Sequence, residues 1–335
     1  MRELAYHRAR DVEDAVRTVA DDPEARFLGG GTNLVDHLKL GVARPGTLVD
    51  VSRLPLDAVE RLDDGTLRVG TNVRNSDLAA HPDVRREHPA VARALLAGAS
   101  GQIRHQATTG GNLLQRTRCV YFQDVTTPCN KREPGSGCSA IGGYDRYNAV
   151  LGASGSCVAT HPSDLAVALA ALDATVVVQG AEGERRVGAA ELHRLPGDRP
   201  EADTVLGHGE LITAVELHPA PTATRSTYRK ARDRASYAFA LASVAAGLRT
   251  DGDRVADVRI AWGGVAHRPW RAHLAEEALR GEPLTEESVR RAAEVELAAA
   301  TGSAGSAYKI EMVRELTVAT LLELAGSPAT DGGAR

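Results

Sequence analysis

The sequence predicts an α+β protein, in which small mixed sheets have flanking helices and a strand pair is followed by helices in the C-terminal part. In the first half, short apolar strands alternate with amphipathic helices, as in the run RFLGGGTNLVDHLK that begins at residue 26. Further along, two long strand-like runs meet at Asp251-Gly252, a dipeptide that favours a tight hairpin turn. They are followed by three helical stretches, near residues 271–280, 285–300 and 306–325.

The first half of the chain begins with a helix. Asp11 is expected to cap the first helix, because apolar residues recur after it at helical spacing: Val12, Ala15, Val16, Val19 and Ala20. A strand, a glycine-rich turn and a helix follow, and then a second strand at TLVDVSRL. The run AVERLDDGTLRVGT predicts a hairpin that turns at Asp64-Gly65, and residues 75–98 predict two helices.

The middle of the chain contains a long segment without periodicity. A second glycine-rich turn is predicted at GQIRHQATTGGNLL, and regular patterns then stop for about fifty residues. They resume with a helix and a strand at PSDLAVALAALDATVVVQG, and with another strand near residues 210–217. The loop PAPTATRS predicts a domain boundary near residue 222, which gives an N-terminal domain of residues 1–222 and a C-terminal domain of residues 223–328.

Composition excludes several classes of function. The chain has 335 residues and a net charge of −4, so it has no electrostatic footprint for nucleic acid. No apolar run reaches the roughly 18 residues of a transmembrane helix. The first residues, MRELAYHRARDVEDAV, lack the apolar region of a signal peptide, and the chain is therefore expected to be cytoplasmic by its own sequence.

Two glycine-rich segments are candidate phosphate-binding loops. LGGGTNL covers residues 28–34 and TTGGN covers residues 108–112. Their glycines allow backbone N–H groups to approach an anion closely, and a following helix N-terminus favours negative charge. Neither matches the Rossmann or Walker pattern. They are either two structural turns or two loops that bind one diphosphate-containing cofactor from both sides. Ser163-Asp164 begins a helix, where the aspartate either caps the helix or accepts hydrogen bonds from sugar hydroxyls of the cofactor.

All four cysteines of the chain lie in the segment without periodicity: Cys119, Cys129, Cys138 and Cys157. Their spacings are C-x9-C, C-x8-C and C-x18-C, with no C-x-x-C pair. Four thiolates suit zinc or an iron–sulfur cluster, and the spacing does not choose between these. Two disulfides and four unrelated thiols are the other interpretations.

Six segments together resemble the flavoprotein (medium) subunit of the xanthine dehydrogenase and carbon monoxide dehydrogenase family of molybdenum hydroxylases. They are FLGGGTNLVDHLKLG, GQIRHQATTGGNL, SDLAVALAALDATVVV, GELITAVELHP, YRKARDRASYAFALASVAAGL and SAYKIEMVRELTVATLLEL. The resemblance implies a two-subdomain FAD-binding domain of the vanillyl-alcohol-oxidase (PCMH) type, followed by the small α+β C-terminal domain of the family.

The resemblance also implies which residues contact FAD. Lys230 would place a cation near the flavin pyrimidine, and no catalytic residue is implied on this chain. The full set of implied FAD contacts is Phe27, Leu28, Gly29, Gly30, Gly31, Thr32, Asn33, Leu34, Thr108, Thr109, Gly111, Asn112, Ser163, Asp164, Ile212 and Lys230.

One departure from most of the family is an insertion at residues 113–162, which contains the four cysteines. This insertion resembles that of the flavin subunits of bacterial periplasmic aldehyde oxidoreductases. The segments that carry the resemblance are NLLQRTRC, PCNKR, PGSGC and CVATHPSDLAVAL. In those subunits the insertion binds a [4Fe–4S] cluster. The resemblance therefore implies that Cys119, Cys129, Cys138 and Cys157 are cluster ligands here.

The function implied is that of an FAD- and [4Fe–4S]-binding electron-transfer subunit in a heterotrimeric aldehyde oxidoreductase. Its partners would be a large molybdenum-cofactor subunit and a small [2Fe–2S] subunit, and electrons would leave through FAD to an external acceptor. A twin-arginine signal on a partner would export the folded complex to the periplasm. The alternatives are a stand-alone FAD-dependent oxidoreductase of the same fold and a zinc-stapled scaffold without flavin.

Overall fold

The computed structural model describes residues 3–326, which form three sheets. The first sheet is parallel, with strand order β1-β3-β2. Its strands and adjoining helices are β1 (Ala5–Arg8), α1 (Val12–Asp21), β2 (Ala25–Leu28), α2 (Leu34–Leu40) and β3 (Thr47–Asp50). Alternating strands and helices produce parallel pairing because a crossover must return the chain to the same end of the sheet.

The second sheet is antiparallel, with strand order β4-β5-β8-β6-β7. Its strands are β4 (Val59–Arg61), β5 (Leu67–Gly70), β6 (Thr175–Gly180), β7 (Gly183–Gly188) and β8 (Leu211–Leu217). The helices of this part of the chain are α3 (Asn75–Ala80), α4 (Pro82–Glu87), α5 (Pro89–Ala97), α6 (Gly101–Gln106), α7 (Thr109–Leu113), α8 (Val120–Gln123), α9 (Asp164–Ala171), α10 (Ala189–Leu192) and α11 (Pro221–Thr224).

The third sheet lies in the C-terminal part and has strand order β12-β11-β10-β9, all antiparallel. Its strands are β9 (Ser226–Ala231), β10 (Ala242–Asp251), β11 (Arg254–Gly263) and β12 (Trp270–Arg271). Three helices follow: α12 (His273–Leu279), α13 (Glu286–Leu297) and α14 (Tyr308–Gly326). No helix within residues 3–326 is long and apolar enough to span a membrane.

The predicted α+β architecture of small mixed sheets with flanking helices is confirmed. Asp11 caps α1, where its carboxylate accepts from the backbone N–H of Asp14 at 2.7 Å. Both predicted hairpins form, and Gly65 and Gly252 adopt the left-handed backbone at φ +87° and +60°. Left-handed backbone favours glycine because this residue lacks a Cβ atom.

Three expectations about individual elements were wrong. Residues 75–98 form three helices, because Pro82 and Pro89 each begin a new helix and the residue before a proline avoids helical backbone. The TTGGN segment is the first turn of α7 rather than a loop. The edge strands β1 and β7 were not expected, since they are largely exposed and show no apolar alternation.

The buried helix α9 joins the two main parts of the molecule. All of its residues are buried, and it packs against α5 as well as β10 and β11. Ser163 caps it, with the hydroxyl accepting from the backbone N–H of Ala166 at 3.0 Å. Asp164, the first residue of α9, is thereby held in a buried position at the start of this helix.

The insertion, residues 113–162, contains a single short helix, α8, and otherwise consists of turns and isolated bridges. It contacts the C-terminal part at several points. The backbone N–H of Val150 donates to the carbonyl of Val265 at 2.8 Å. The buried Lys309 ammonium donates to the carbonyls of Tyr147 and Gly264 at 3.0 and 2.8 Å. The insertion is therefore packed onto the C-terminal part.

Candidate functional site

The two glycine-rich segments lie in direct contact. The Gln106 side-chain amide donates to the carbonyl of Gly30 at 3.1 Å. A Cβ atom at Gly30 would lie 2.2 Å from the Gln106 carbonyl oxygen, so only glycine permits this approach. Gly31, at φ +76°, then turns the chain into α2. The prediction that these segments could face one ligand together is consistent with this geometry.

The second segment is held by its own threonines. The hydroxyl of Thr108 accepts from the backbone N–H of Gly111 at 3.2 Å and thereby caps α7. The buried Thr109 hydroxyl donates to the carbonyl of Val73 at 3.0 Å. Both side chains are therefore engaged in positioning the segment, and so are the backbone N–H groups of residues 109–112, which all donate within the chain. The side-chain amide of Asn112 lines the cavity described next.

A cavity of about 350 Å³ opens beside the two segments. This volume lies within the range of small-molecule sites. Its wall also contains the apolar side chains of Leu95, Ile103 and Leu165. The sequence-predicted FAD contacts that line it are Thr32, Asn33, Gly111, Asn112, Asp164 and Lys230. We refer to it as the first cavity.

The other predicted FAD contacts lie behind or beside the first cavity. Ile212 is in β8 and is buried in the main hydrophobic core. Ser163 binds Asn112, with its hydroxyl donating to the amide oxygen at 2.8 Å. The remaining residues are not among the lining side chains: Phe27, Leu28, Gly29, Gly30, Gly31, Leu34, Thr108 and Thr109.

An ion pair stands at the wall of the first cavity. The Lys230 ammonium donates to Asp164 Oδ2 at 2.7 Å and to the carbonyl of Ala97 at 3.2 Å. The Tyr228 hydroxyl donates to Asp164 Oδ1. Burial, followed by the neighbouring Asp164 carboxylate, raises the pKa of Tyr228 well above its ordinary value, so this hydroxyl stays a donor.

Two of the lining residues that were not predicted as FAD contacts have a buried polar atom without a partner. Asn75 begins α3 and its side-chain oxygen is buried without a hydrogen-bond partner within residues 3–326. Arg118 also lines the first cavity, and its Nε is buried without a partner in the same part of the chain. No motif marks Asn75. Arg118 could have been found from its position next to Cys119.

The four cysteines converge on one small cavity between α8 and the turns of the insertion. Cys129 and Cys138 face each other across an isolated bridge, and all four thiols are free. Cys129 and Cys157 are buried, and the other two are partly buried. Burial raises the pKa of the Cys119 thiol, and it raises that of Cys157 to about 11 against the attraction of Lys131. Because all four thiols are free, no disulfide joins these cysteines in this structure.

The basic residues beside the cysteines are fixed in place. The buried Lys131 ammonium donates to the carbonyl of Pro200 at 2.6 Å and pairs with Asp203. Arg116 Nε donates to the same carboxylate at 2.6 Å. Burial alone would raise the pKa of Asp203, but these two cations outweigh it and hold that pKa well below its usual range. Lys131 is therefore a buried, paired cation and not a solvated surface charge.

Within residues 3–326, no group of three or more His, Cys, Asp or Glu side chains is placed to hold a metal ion. The space among the four thiols is about 10 Å³, which is room for roughly one water molecule. The donor set is nevertheless purely thiol, which matches the soft ligands of iron–sulfur clusters and structural zinc.

The fold and the cavity define the class of protein. Residues 2–220 match the family described as the FAD binding domain in molybdopterin dehydrogenase, and residues 226–324 match the CO dehydrogenase flavoprotein C-terminal domain. The chain therefore belongs to the FAD-binding medium subunits of the xanthine dehydrogenase and carbon monoxide dehydrogenase family. The orphaned Asn75 oxygen and the close contact at Gly30 fit a cofactor in the first cavity.

Two curated relatives cover most of the chain. It is 52% identical to the aldehyde oxidoreductase FAD-binding subunit PaoB of Escherichia coli K12 over 280 residues, which are 83% of this chain and 86% of that protein. It is 27% identical to the glyceraldehyde dehydrogenase medium chain of Sulfolobus acidocaldarius over 328 residues, which are 96% of this chain and 99% of that protein.

Solved structures confirm the predicted fold. Carbon monoxide dehydrogenase from Hydrogenophaga pseudoflava matches with a TM-score of 0.75 and 24% identity, over 96% of both chains. Quinoline 2-oxidoreductase from Pseudomonas putida 86 matches with a TM-score of 0.74 and 22% identity, over 97% of both chains. At these identities the likeness concerns the fold alone.

Proposed function

We propose that this chain is the FAD- and [4Fe–4S]-binding electron-transfer subunit of a heterotrimeric molybdenum hydroxylase that oxidises aldehydes. The observation on which this rests is the meeting of both glycine-rich segments and the Asp164–Lys230 pair at one cavity. The identity to an aldehyde oxidoreductase subunit favours aldehydes as the substrates of the whole complex. FAD, when bound, supplies the redox chemistry, and the chain supplies its binding and electrostatic environment.

Different residues of the first cavity would bind different parts of FAD. Backbone N–H groups near Thr32, together with the side-chain amide of Asn112, would hold the anionic diphosphate, because glycine-rich turns let amides approach phosphate oxygens closely. The Asp164 carboxylate and the Asn75 side-chain oxygen would accept hydrogen bonds from hydroxyl or ring N–H groups. Lys230 would offer a fixed positive charge that favours an anionic reduced flavin. The low exposure of the Lys230 side chain, 3%, strengthens that interaction.

The cysteines of the insertion would hold the cluster. Four thiolates without any other ligand type are a common donor set for a [4Fe–4S] cluster. Lys131 supports this assignment, since a buried cation beside Cys157 offsets the negative charge of thiolate ligands. A cluster is larger than the space now present among the thiols, so loading it would require the thiol-bearing turns to move apart. Zinc bound by the same cysteines is the competing assignment, and metal analysis separates the two.

The partners would be a large molybdenum-cofactor subunit and a small [2Fe–2S] subunit. The names of two relatives, a medium chain and a medium subunit, support a complex of several subunits, and the alignment covers 86% of the aldehyde oxidoreductase FAD-binding subunit. The compartment of the complex would be set by a partner's signal, and the folded chain would be exported with it.

The function is tested by following the flavin in two preparations. The chain is co-expressed with its two partner subunits, and the anaerobic complex is mixed with an aromatic aldehyde. Bleaching of the flavin absorption in the complex, but not in the isolated chain with the same aldehyde, is the expected result. Bleaching in the isolated chain would favour a stand-alone FAD oxidoreductase, and no bleaching in the complex would contradict the proposal.

A further inference from the structure

The first residues of the insertion are bound to the first glycine-rich segment. The backbone N–H of Arg116 donates to the side-chain oxygen of Asn33 at 3.0 Å. Asn33 lines the first cavity, and Arg116 does not. Cys119 follows Arg116 after a stretch of chain that spans at most about 11 Å. A proposed FAD contact is therefore held by backbone that lies a short distance along the chain from a proposed metal ligand.

Side chains also connect Arg116 to the small cavity among the four thiols, which we call the thiol cavity. The Arg116 guanidinium lies over the Phe122 ring, 4.7 Å from its centroid. Phe122 is buried and lines the thiol cavity. Arg116 Nε and the Lys131 ammonium bind different oxygens of the Asp203 carboxylate, and Lys131 also lines the thiol cavity. Two routes of direct contact therefore run from the thiol cavity to Arg116.

Helix α2 packs against the same aromatic ring. His37, on α2, meets the Phe122 ring edge-on, with 5.6 Å between the ring centroids. Burial, followed by the Arg116 and Arg118 charges, lowers the pKa of His37 to about 4, so a neutral ring packs against Phe122 near pH 7. Asn33 directly precedes α2, and its side-chain nitrogen lies 3.5 Å from His37 Nε2. Phe122 therefore supports the surroundings of Asn33 from α2 as well as from the insertion.

The insertion has few regular elements that could keep this arrangement in place. Apart from α8 it consists of turns and isolated bridges, and ordering such a chain costs much conformational entropy. Bonds from one metal centre to four thiolates would join these turns to each other and offset that cost. With Cys119 fixed, the backbone N–H of Arg116 stays in place for Asn33, and a pre-organised Asn33 binds FAD with a smaller loss of entropy.

We propose that Arg116 is a positioning residue that couples the two sites through Asn33. Metal at the four thiols strengthens FAD binding, and FAD in turn helps the chain to retain the metal, because coupling between two binding sites is reciprocal. This inference rests on the proposed function, since it requires both FAD and a metal at the thiols. It holds for an iron–sulfur cluster and for zinc alike.

The coupling is measured as the ratio of two FAD dissociation constants in the full chain. One preparation is purified anaerobically with its metal, and the other is stripped of metal with a chelator under reducing conditions. FAD is removed from both and added back, and iron and zinc are counted in each. Flavin fluorescence titration should give a Kd about fivefold or more lower in the metal-loaded chain. FAD should also slow the loss of metal to the chelator, since release requires the insertion to open.

Two variants test the residues that carry the coupling. Arg116→Ala removes the contacts with Phe122 and Asp203 but keeps the backbone N–H, and it should lower the Kd ratio about twofold or more. Asn33→Leu removes the acceptor of that N–H and leaves the insertion unchanged, and it should bring the ratio close to one. A merely structural role would raise both dissociation constants equally and leave the ratio as it is.

Arg185→Ala is the matched control. It breaks a comparable arginine–carboxylate pair, with Glu210 at 2.6 Å, and Arg185 lines neither the first cavity nor the thiol cavity. This variant should keep the Kd ratio of the parent chain.

Equal FAD dissociation constants in the two parent preparations, with metal counted in only one of them, would overturn the coupling and leave the proposed function standing. A parent-like ratio in Arg116→Ala would overturn the role of Arg116. A chain that takes up no metal, or one that binds no FAD in either form, would instead contradict the proposed function, and the coupling would fall with it.

Discussion

Lys230 Nζ lies 2.7 Å from Asp164 Oδ2, although 66 positions separate the two residues in the sequence. The lysine comes from β9 of the C-terminal part and the aspartate from the first turn of α9. The pair is almost fully buried, with exposed side-chain fractions of 3% and 8%. This contact therefore joins the two matched domains at the wall of the proposed FAD site.

Removing Lys230 should destabilise the chain. Lys230→Met leaves the Asp164 carboxylate buried with only the Tyr228 hydroxyl as a strong donor. Breaking a buried pair in this way typically lowers the free energy of unfolding by about 3 kcal/mol. Urea unfolding followed by circular dichroism measures the change, and the FAD content of the purified variant should fall as well. Lys39→Met, at an exposed lysine, is the matched control, and an equal loss in both variants would contradict a special role of the pair.

A methyl group at Gly30 should separate the two glycine-rich segments. The added Cβ atom in Gly30→Ala would meet the Gln106 carbonyl oxygen at 2.2 Å, and backbone must move to relieve the clash. Overpacking of this kind costs about 1–3 kcal/mol, so the Kd for FAD should rise about tenfold or more. Gly101→Ala adds the same methyl group where nothing lies within 4 Å. Flavin fluorescence titration of both variants should show the effect at residue 30 alone.

Lys309 should make stability depend on pH. Burial, reinforced by the Arg146 charge, lowers the pKa of this lysine from 10.5 to about 7 in the folded chain. Between these two values the unfolded chain binds more protons, so the free energy of unfolding should rise with pH, by up to about 1.4 kcal/mol per pH unit. Below about pH 7 both states are protonated and this gain is absent.

The measurement for Lys309 is urea unfolding between about pH 7 and pH 9, in the parent chain and in Lys309→Met. The variant should be less dependent on pH, whatever its absolute stability, because it has no titrating group at this site. Identical slopes in the two proteins would show that Lys309 keeps an ordinary pKa despite its burial.

Local sequence signals predicted those elements whose causes are local. The Asp11 cap and the Asp251-Gly252 turn depend on neighbouring residues alone, and both were predicted correctly. The strand β1 could not be predicted in this way, because its pairing with β3 is a long-range contact and its side chains are mostly exposed. Pro82 and Pro89 did signal helix starts, but the apolar periodicity of residues 75–98 masked them.

The candidate site was predictable only in its parts. The two glycine-rich segments could be recognised in the sequence from their glycines. Their contact through Gln106 and Gly30 could not, because it depends on how the fold packs. Asp164 and Lys230 were each expected to contact FAD from family resemblance, but their pairing was not predicted, since no periodicity or spacing relates the two residues. Asn75 left no sequence signal, since the first cavity, which it lines, arises from side chains that the fold brings together from distant segments.

The central proposal, that this chain holds an iron–sulfur cluster as well as FAD, is tested most directly by metal analysis. The full chain is purified anaerobically, and iron, zinc and acid-labile sulfide are counted per FAD. The expected result is about four irons and four sulfides, lost in Cys138→Ser and kept in Val125→Ser, an exposed control in the same insertion. One zinc per chain without sulfide, or a Cys138→Ser variant that keeps its iron, would contradict the account.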